Sequence, residues 1–192
     1  MAAKDETRAR TAKPRRSRAK KTAARAPGEV ARAGFDAVGA HDVDAILACW
    51  SPEGVQDWVA LGVIRRGHDE IREMFEEIYA ATPDFEMVVE RIVADGETAC
   101  VQWRSAGTFD GAPFMGIEPN GRRVELRGVD VMEIEEGLIV RNSVYYDGAA
   151  FGRAIGMLPP QDSPAERALY TAFNATTKLR RAIRERTQGA EA

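Results

Sequence analysis

The stretch Val124-Glu125-Leu126-Arg127-Gly128-Val129-Asp130-Val131-Met132-Glu133-Ile134 decides how the chain folds. It alternates strictly. Val124, Leu126, Gly128, Met132 and Ile134 fall on one side, and Arg123, Glu125, Arg127, Glu133 and Glu135 on the other. A period of two marks a strand with one face buried. Asp130 lies on the apolar side of that strand. An ionised carboxylate buried there costs, roughly, several kcal/mol unless it is paired or protonated. Such a group is a candidate for function. The alternative is a scaffold carboxylate satisfied by an arginine or by backbone amides.

Strands flank this one. Leu138 to Tyr146 follows a turn at Glu136-Gly137. Thr98 to Phe109 precedes it, with Val101, Trp103, Ser105, Gly107 and Phe109 on one face. Glu86 to Ala94 comes before that, joined by the hairpin signal Asp95-Gly96. The loop Asp110 to Gly121 is rich in Gly and Pro and carries Phe114, Met115 and Ile117. Further upstream, Val55-Gln56-Asp57-Trp58-Val59-Ala60-Leu61 reads as a strand after the turn Ser51-Pro52-Glu53-Gly54, with a short strand Val63 to Arg66 beyond Gly62. Asp57 shares a face with Val55, Val59 and Leu61 on this reading. Its alternative is an ion pair with Arg65 or Arg66. Helical spacing predicts one or two helices over 29–50, broken around Gly39-Ala40-His41-Asp42, with Asp42 capping a helix from Val43 to Trp50. Asp69 to Ala80 is a further helix, with Ile71, Met74, Phe75 and Ile78 on one side. Helices followed by an antiparallel meander place the chain in the α+β class.

The ends differ from this middle. Residues 1–27 carry a net charge of +8, against −3 for the whole chain of 192 residues. They contain no aromatic residue and no apolar periodicity, so a disordered basic tail is expected. Contact of that tail with nucleic acid is compatible with its charge, but a solvated leader is the preferred reading. Residues 161–192 form a separate unit, a C-terminal amphipathic helix and tail. Ser163-Pro164-Ala165-Glu166 is a capping box with Pro at the first helical position. Leu169, Phe173, Thr176, Leu179 and Ile183 form a stripe along the helix. Residues 28–160 make the cavity domain.

Composition excludes some functions. No apolar run approaches the roughly 20 residues of a membrane span, and the basic N-terminus lacks the apolar core of a secretory signal. Cys49 and Cys100 lie far apart, and His41 and His68 are the only histidines. No metal site, no phosphate-binding glycine loop and no cofactor are expected. A reduced, cytoplasmic location is the plain reading.

The run Phe114 to Asp130, Phe-Met-Gly-Ile-Glu-Pro-Asn-Gly-Arg-Arg-Val-Glu-Leu-Arg-Gly-Val-Asp, resembles the SnoaL-like polyketide cyclases. Gly107-Thr108 upstream, and Gly137-Leu138-Ile139-Val140 and Tyr145-Tyr146-Asp147 downstream, extend the likeness over roughly Gly28 to Pro160. These proteins belong to the nuclear-transport-factor-2-like superfamily, with the ketosteroid isomerases and limonene epoxide hydrolases. The resemblance implies a conical α+β barrel: a curved antiparallel sheet wrapped around helices and an apolar cavity, as a homodimer. It also implies roles. The base of the isomerases matches Asp57, and their hydrogen-bonding acid, like the cyclases' acid/base, matches Asp130. The chain departs from the pattern at Gly34 and Phe35, where the isomerases have a tyrosine. It departs again at Gly107 and Phe109, where the cyclases carry a glutamine and a histidine.

The expected ligand is a small apolar carbonyl compound, polyketide- or steroid-like. The expected chemistry is cofactor-independent proton transfer for isomerisation or ring closure, with Asp130 and Asp57 catalytic. Trp103, Phe109, Phe114, Met115 and Tyr145 are expected to contact the ligand. The alternatives are a non-catalytic binding or dimerisation module, and an epoxide hydrolase-like enzyme, which needs an arginine beside two carboxylates. Three or more convergent polar groups in the cavity would favour catalysis, and one isolated Asp would favour binding. Val129 and Val131, on the otherwise charged face, mark the outer side of the sheet as the dimer surface.

Overall fold

The computed structural model describes residues 25–189. The basic-tail reading falls almost wholly on residues 1–24, outside the described residues. The elements are α1 (Pro27–Gly39), α2 (Val43–Leu47), β1 (Trp50–Trp58), β2 (Val63–Arg66), α3 (Gly67–Ala81), β3 (Glu86–Asp95), β4 (Thr98–Phe109), β5 (Arg122–Glu135), β6 (Leu138–Tyr146), α4 (Gly148–Ala154) and α5 (Pro164–Gly189). The class is α+β, as the order of the elements predicts. The short helix α4 is an element that the sequence pattern does not reveal.

One curved, unclosed sheet runs in the order β2-β1-β6-β5-β4-β3. Strands β3 to β6 form the expected antiparallel meander. The β1–β2 hairpin is added to the free edge of β6, with β1 parallel to it. That one parallel pair departs from the expected antiparallel sheet.

Helices α1 and α3 fill the concave side. Val30, Phe35 and Val38 of α1, and Ile71, Met74 and Phe75 of α3, are buried. Val30, Phe35 and Val38, and Ile71 with the adjacent Met74 and Phe75 three and four residues on, recur at helical spacing, so each helix turns one apolar stripe inward. Ala99, Val101 and Trp103 of β4 meet them with Met132 and Ile134 of β5. A smaller cluster, Ala81, Phe109, Val124 and Ile155, lies under the 110–121 loop and α4. Both histidines are tied into the scaffold. His41 Nε2 lies 2.8 Å from the Phe85 carbonyl oxygen and its ring stacks on Tyr79, while His68 Nε2 is 3.2 Å from the Trp50 carbonyl oxygen.

Strand β1 corrects the sequence reading. Its pairing with β6 shifts register between Trp50 and Val55. An irregularity of this kind resets which residues face inward. Gln56 is 2% exposed, whereas Val59, placed on the inner face by its hydrophobicity, is 44% exposed in the turn after the strand. Trp50, Gln56 and Trp58 face the core side, and Asp57 does not.

The capping box at α5 forms only on its Ser163 side, because the Glu166 carboxylate takes the amide of Asp162, one residue before the N-cap. The Glu166 amide donates to Ser163 Oγ at 3.1 Å, and the Glu166 carboxylate accepts from the Asp162 amide at 2.7 Å. Arg153 of α4 donates to the same carboxylate at 3.1 Å, which ties the first turn of α5 to α4. These donors hold the Glu166 carboxyl below its ordinary value, the Asp162 amide most and Arg153 next. Beyond that turn Leu169, Phe173, Leu179 and Ile183 are each about half exposed or more. No described helix is long and apolar enough to cross a membrane.

Candidate functional site

Between the helices and the concave sheet lies a cavity of about 150 Å³. Its walls are aromatic and aliphatic, with Phe35, Phe75, Trp103, Phe109, Phe114 and Leu126 among them. One cluster of its polar groups is on the sheet, where Gln56, Trp58, Asp130 and Asn142 come from three adjacent strands.

Asp130 is 6% exposed. Trp103 Nε1–H donates to its Oδ1 at 2.7 Å, and Asn142 Nδ2–H donates to its Oδ2 at 2.5 Å. Both donors are neutral, and no described cation forms an ion pair with it. Desolvation disfavours the charged form and pushes the carboxyl up to about 6, while the two hydrogen bonds pull the other way. Because both oxygens accept, the geometry suits a carboxylate better than a protonated acid.

A local device in β5 makes this arrangement. Gly128 is the register partner of Trp103, and Asp130 sits two residues further on the same face. A Cβ at position 128 would run into the Trp103 ring and lie 2.6 Å from the Tyr145 carbonyl oxygen. Glycine lets the indole lie across β5 and present its N–H to Asp130. The Gly-x-Asp spacing thus has a packing reason.

The other expected site residues divide. Trp103 and Phe109 are buried in the wall, and Phe114 lines the cavity with its ring edge-on to Phe151 at 6.5 Å. Met115 does not line it. It is 44% exposed at the tip of a turn, with φ of 50° beside Gly116 at 77°. Tyr145 is 47% exposed on the outer face of β6. Its neighbour Tyr146 takes the inward place, packed against Trp58 and Phe151 at 6.4 and 6.3 Å. Burial raises the Tyr146 hydroxyl to about 12. Asp57 faces the outer side and is ion-paired: Arg141 Nη2 lies 2.8 Å from its Oδ2. The partner is on β6, the opposite neighbour from the expected Arg65 and Arg66. Asp57 and Asp130 are therefore not brought together, and the two-carboxylate arrangement is corrected to one.

Sequence reasoning missed Gln56 and Asn142. Asn142 was open to detection, since it shares the inward face of β6 with Val144 and Tyr146, as Asp130 does on β5. Gln56 was hidden by the shift in β1. Among the described residues no arginine lines the cavity, so they do not supply the arginine that an epoxide hydrolase-like site needs. Among the described residues no group of three His, Cys, Asp or Glu could hold a metal ion.

Comparison with known proteins agrees with this architecture. The profile of the SnoaL-like domain family matches residues 31–142. No curated protein sequence matches the chain. Among solved structures, AclR, a candidate hydroxylase from Streptomyces galilaeus, is similar at 22% identity and a TM-score of 0.61, over 83% of this chain and 94% of its own. A candidate SnoaL-like polyketide cyclase from Jannaschia sp. CCS1 is similar at 22% identity and a TM-score of 0.62, over 69% and 93%. A protein with a ketosteroid isomerase-like fold from Catenulispora acidiphila, in complex with trimethylamine, is similar at 16% identity and a TM-score of 0.58, over 71% and 98%. At these identities the likeness is one of fold.

Proposed function

We propose, for a chain that belongs to the SnoaL-like domain family, that the cavity binds a small apolar carbonyl compound and that Asp130 moves a proton beside the carbonyl. The observation that carries this reading is Asp130 itself: a buried carboxylate, held by two neutral donors, with its pKa at about 6. A base poised near the working pH combines a populated ionised form with proton affinity. Trp103 and Asn142 fix the carboxylate's orientation, and the apolar walls bind the rest of the ligand and exclude water. Several polar groups converge here, which favours catalysis over simple binding. Asp57, ion-paired on the outer face, has no part in the step. The outer face, where exposed Val129 and Tyr145 are register partners, is the proposed surface for a second copy.

The test is exchange of the α-protons of 1-indanone in D2O, followed by NMR. The wild-type chain should accelerate deuterium uptake, and Asp130→Asn should not. Binding of 1-indanone without faster exchange would overturn the catalytic reading and leave a ligand-binding module.

A further inference from the structure

Three polar side-chain atoms that the proton transfer does not use are buried in residues lining the cavity without a hydrogen-bond partner: Gln56 Oε1, Trp58 Nε1 and Asn142 Oδ1. Gln56 and Asn142 are each 2% exposed. A buried polar atom without a partner is rare in folded proteins and calls for a reason. These three are close together. Gln56 and Asn142 are register partners on β1 and β6, and Trp58 pairs with Val144, whose other partner is Asp130. At the usual spacing of neighbouring strands the group covers about 10 Å of sheet. The orientation of Asn142 is fixed, because its Nδ2 is spent on Asp130. Its Oδ1 can only accept. Trp58 can only donate. The Gln56 amide can present either end.

We infer that this cluster is a recognition site for a ligand carrying a hydroxyl and a carbonyl on the same edge of a one- or two-ring skeleton. The hydroxyl donates to Asn142 Oδ1, the carbonyl oxygen accepts from Trp58 Nε1–H, and Gln56 completes whichever group needs a second partner. Ring size follows from volume: an engineered apolar cavity of about 150 Å³ holds benzene, so a cavity of about 150 Å³ suits one ring or two small fused rings. The inference rests on the cavity being the ligand site, and it adds the pattern of groups the ligand must carry.

The experiment is calorimetric titration of the full-length chain with four probes on one skeleton: indane, 1-indanone, 1-indanol and 3-hydroxy-1-indanone. A site built to hydrogen-bond a group rejects the analogue that lacks it. Each matched group should tighten binding about tenfold, so 3-hydroxy-1-indanone should bind best and indane worst. In Trp58→Phe, which keeps a ring but loses the N–H, the preference for 1-indanone over indane should vanish. Equal affinity for all four probes in the wild-type chain would overturn the inference, showing the three atoms to be satisfied by retained water, while leaving the cavity reading intact. Failure of all four to bind would overturn both.

Discussion

Replacing Asp130 by Asn should stabilise the protein, and by an amount that depends on pH. The carboxyl is raised from 3.8 to about 6 by burial. A carboxyl whose folded value lies above its unfolded value favours folding when protonated. That benefit is fully present below about 3.8 and is lost as pH rises through about 6. Above pH 7 the ionised group therefore costs the fold about 3 kcal/mol relative to a neutral one. Asparagine removes the charge and keeps the bonding. Its Oδ1 accepts from Trp103, and a turned Asn142 amide accepts from its Nδ2. At pH 8 the variant should melt higher by about 6–12 °C, taking about 2–4 °C per kcal/mol for a chain of this size. The gain should shrink through pH 6 and nearly vanish by about pH 4. Asp130→Leu behaves differently. It also removes the charge but strands two buried donors at about 1–3 kcal/mol each, so it should melt near or below the wild type. The assay is thermal unfolding of the three proteins from pH 4 to 8, read as the difference between variant and wild type. A destabilised Asp130→Asn at pH 8, or a difference that does not change with pH, would refute the reasoning.

Three further outcomes are expected. Gly128→Ala should drive the Trp103 ring off Asp130, costing about 1–3 kcal/mol as overpacking, and tryptophan fluorescence should report the displaced ring; an unchanged melt would show that β5 has room there. Asp57→Asn should cost less than about 1 kcal/mol, because the pair with Arg141 is partly exposed, and should leave exchange of 1-indanone as in the wild type; loss of exchange would return Asp57 to the site. Light scattering at micromolar concentration should find a dimer, and Val129→Asp should yield a monomer; a monomeric wild type would rule out the outer face as a dimer surface.

The alternation around Asp130 made both the fold class and the central residue legible, because a period of two assigns faces without any knowledge of neighbours. Trp103, Phe109 and Phe114 followed from the same rule and from the position of one loop. The errors share a physical origin. Asp57 and Tyr145 sit on strands where the inner face depends on a register that only the assembled sheet fixes. In β1 the shift after Trp50 moved the inward side from Val55 and Asp57 to Gln56 and Trp58, while the apolar Val59 and Leu61 that suggested otherwise lie beyond the strand. Met115 was expected against the ligand from its place in the Gly-rich loop, but its positive φ turns it to solvent at the loop tip. Helix α4, which closes one end of the cavity, is seven residues long and too short to show periodicity.

The most direct test is a carbon-13 NMR titration of the Asp130 carboxyl, assigned by its loss in Asp130→Asn. The midpoint should lie near 6, and should move higher when 1-indanone fills the cavity and removes the remaining water. A midpoint at or below about 4, the ordinary range of an exposed aspartate, unchanged by the ketone, would contradict the claim that a carboxylate poised near neutrality faces the ligand.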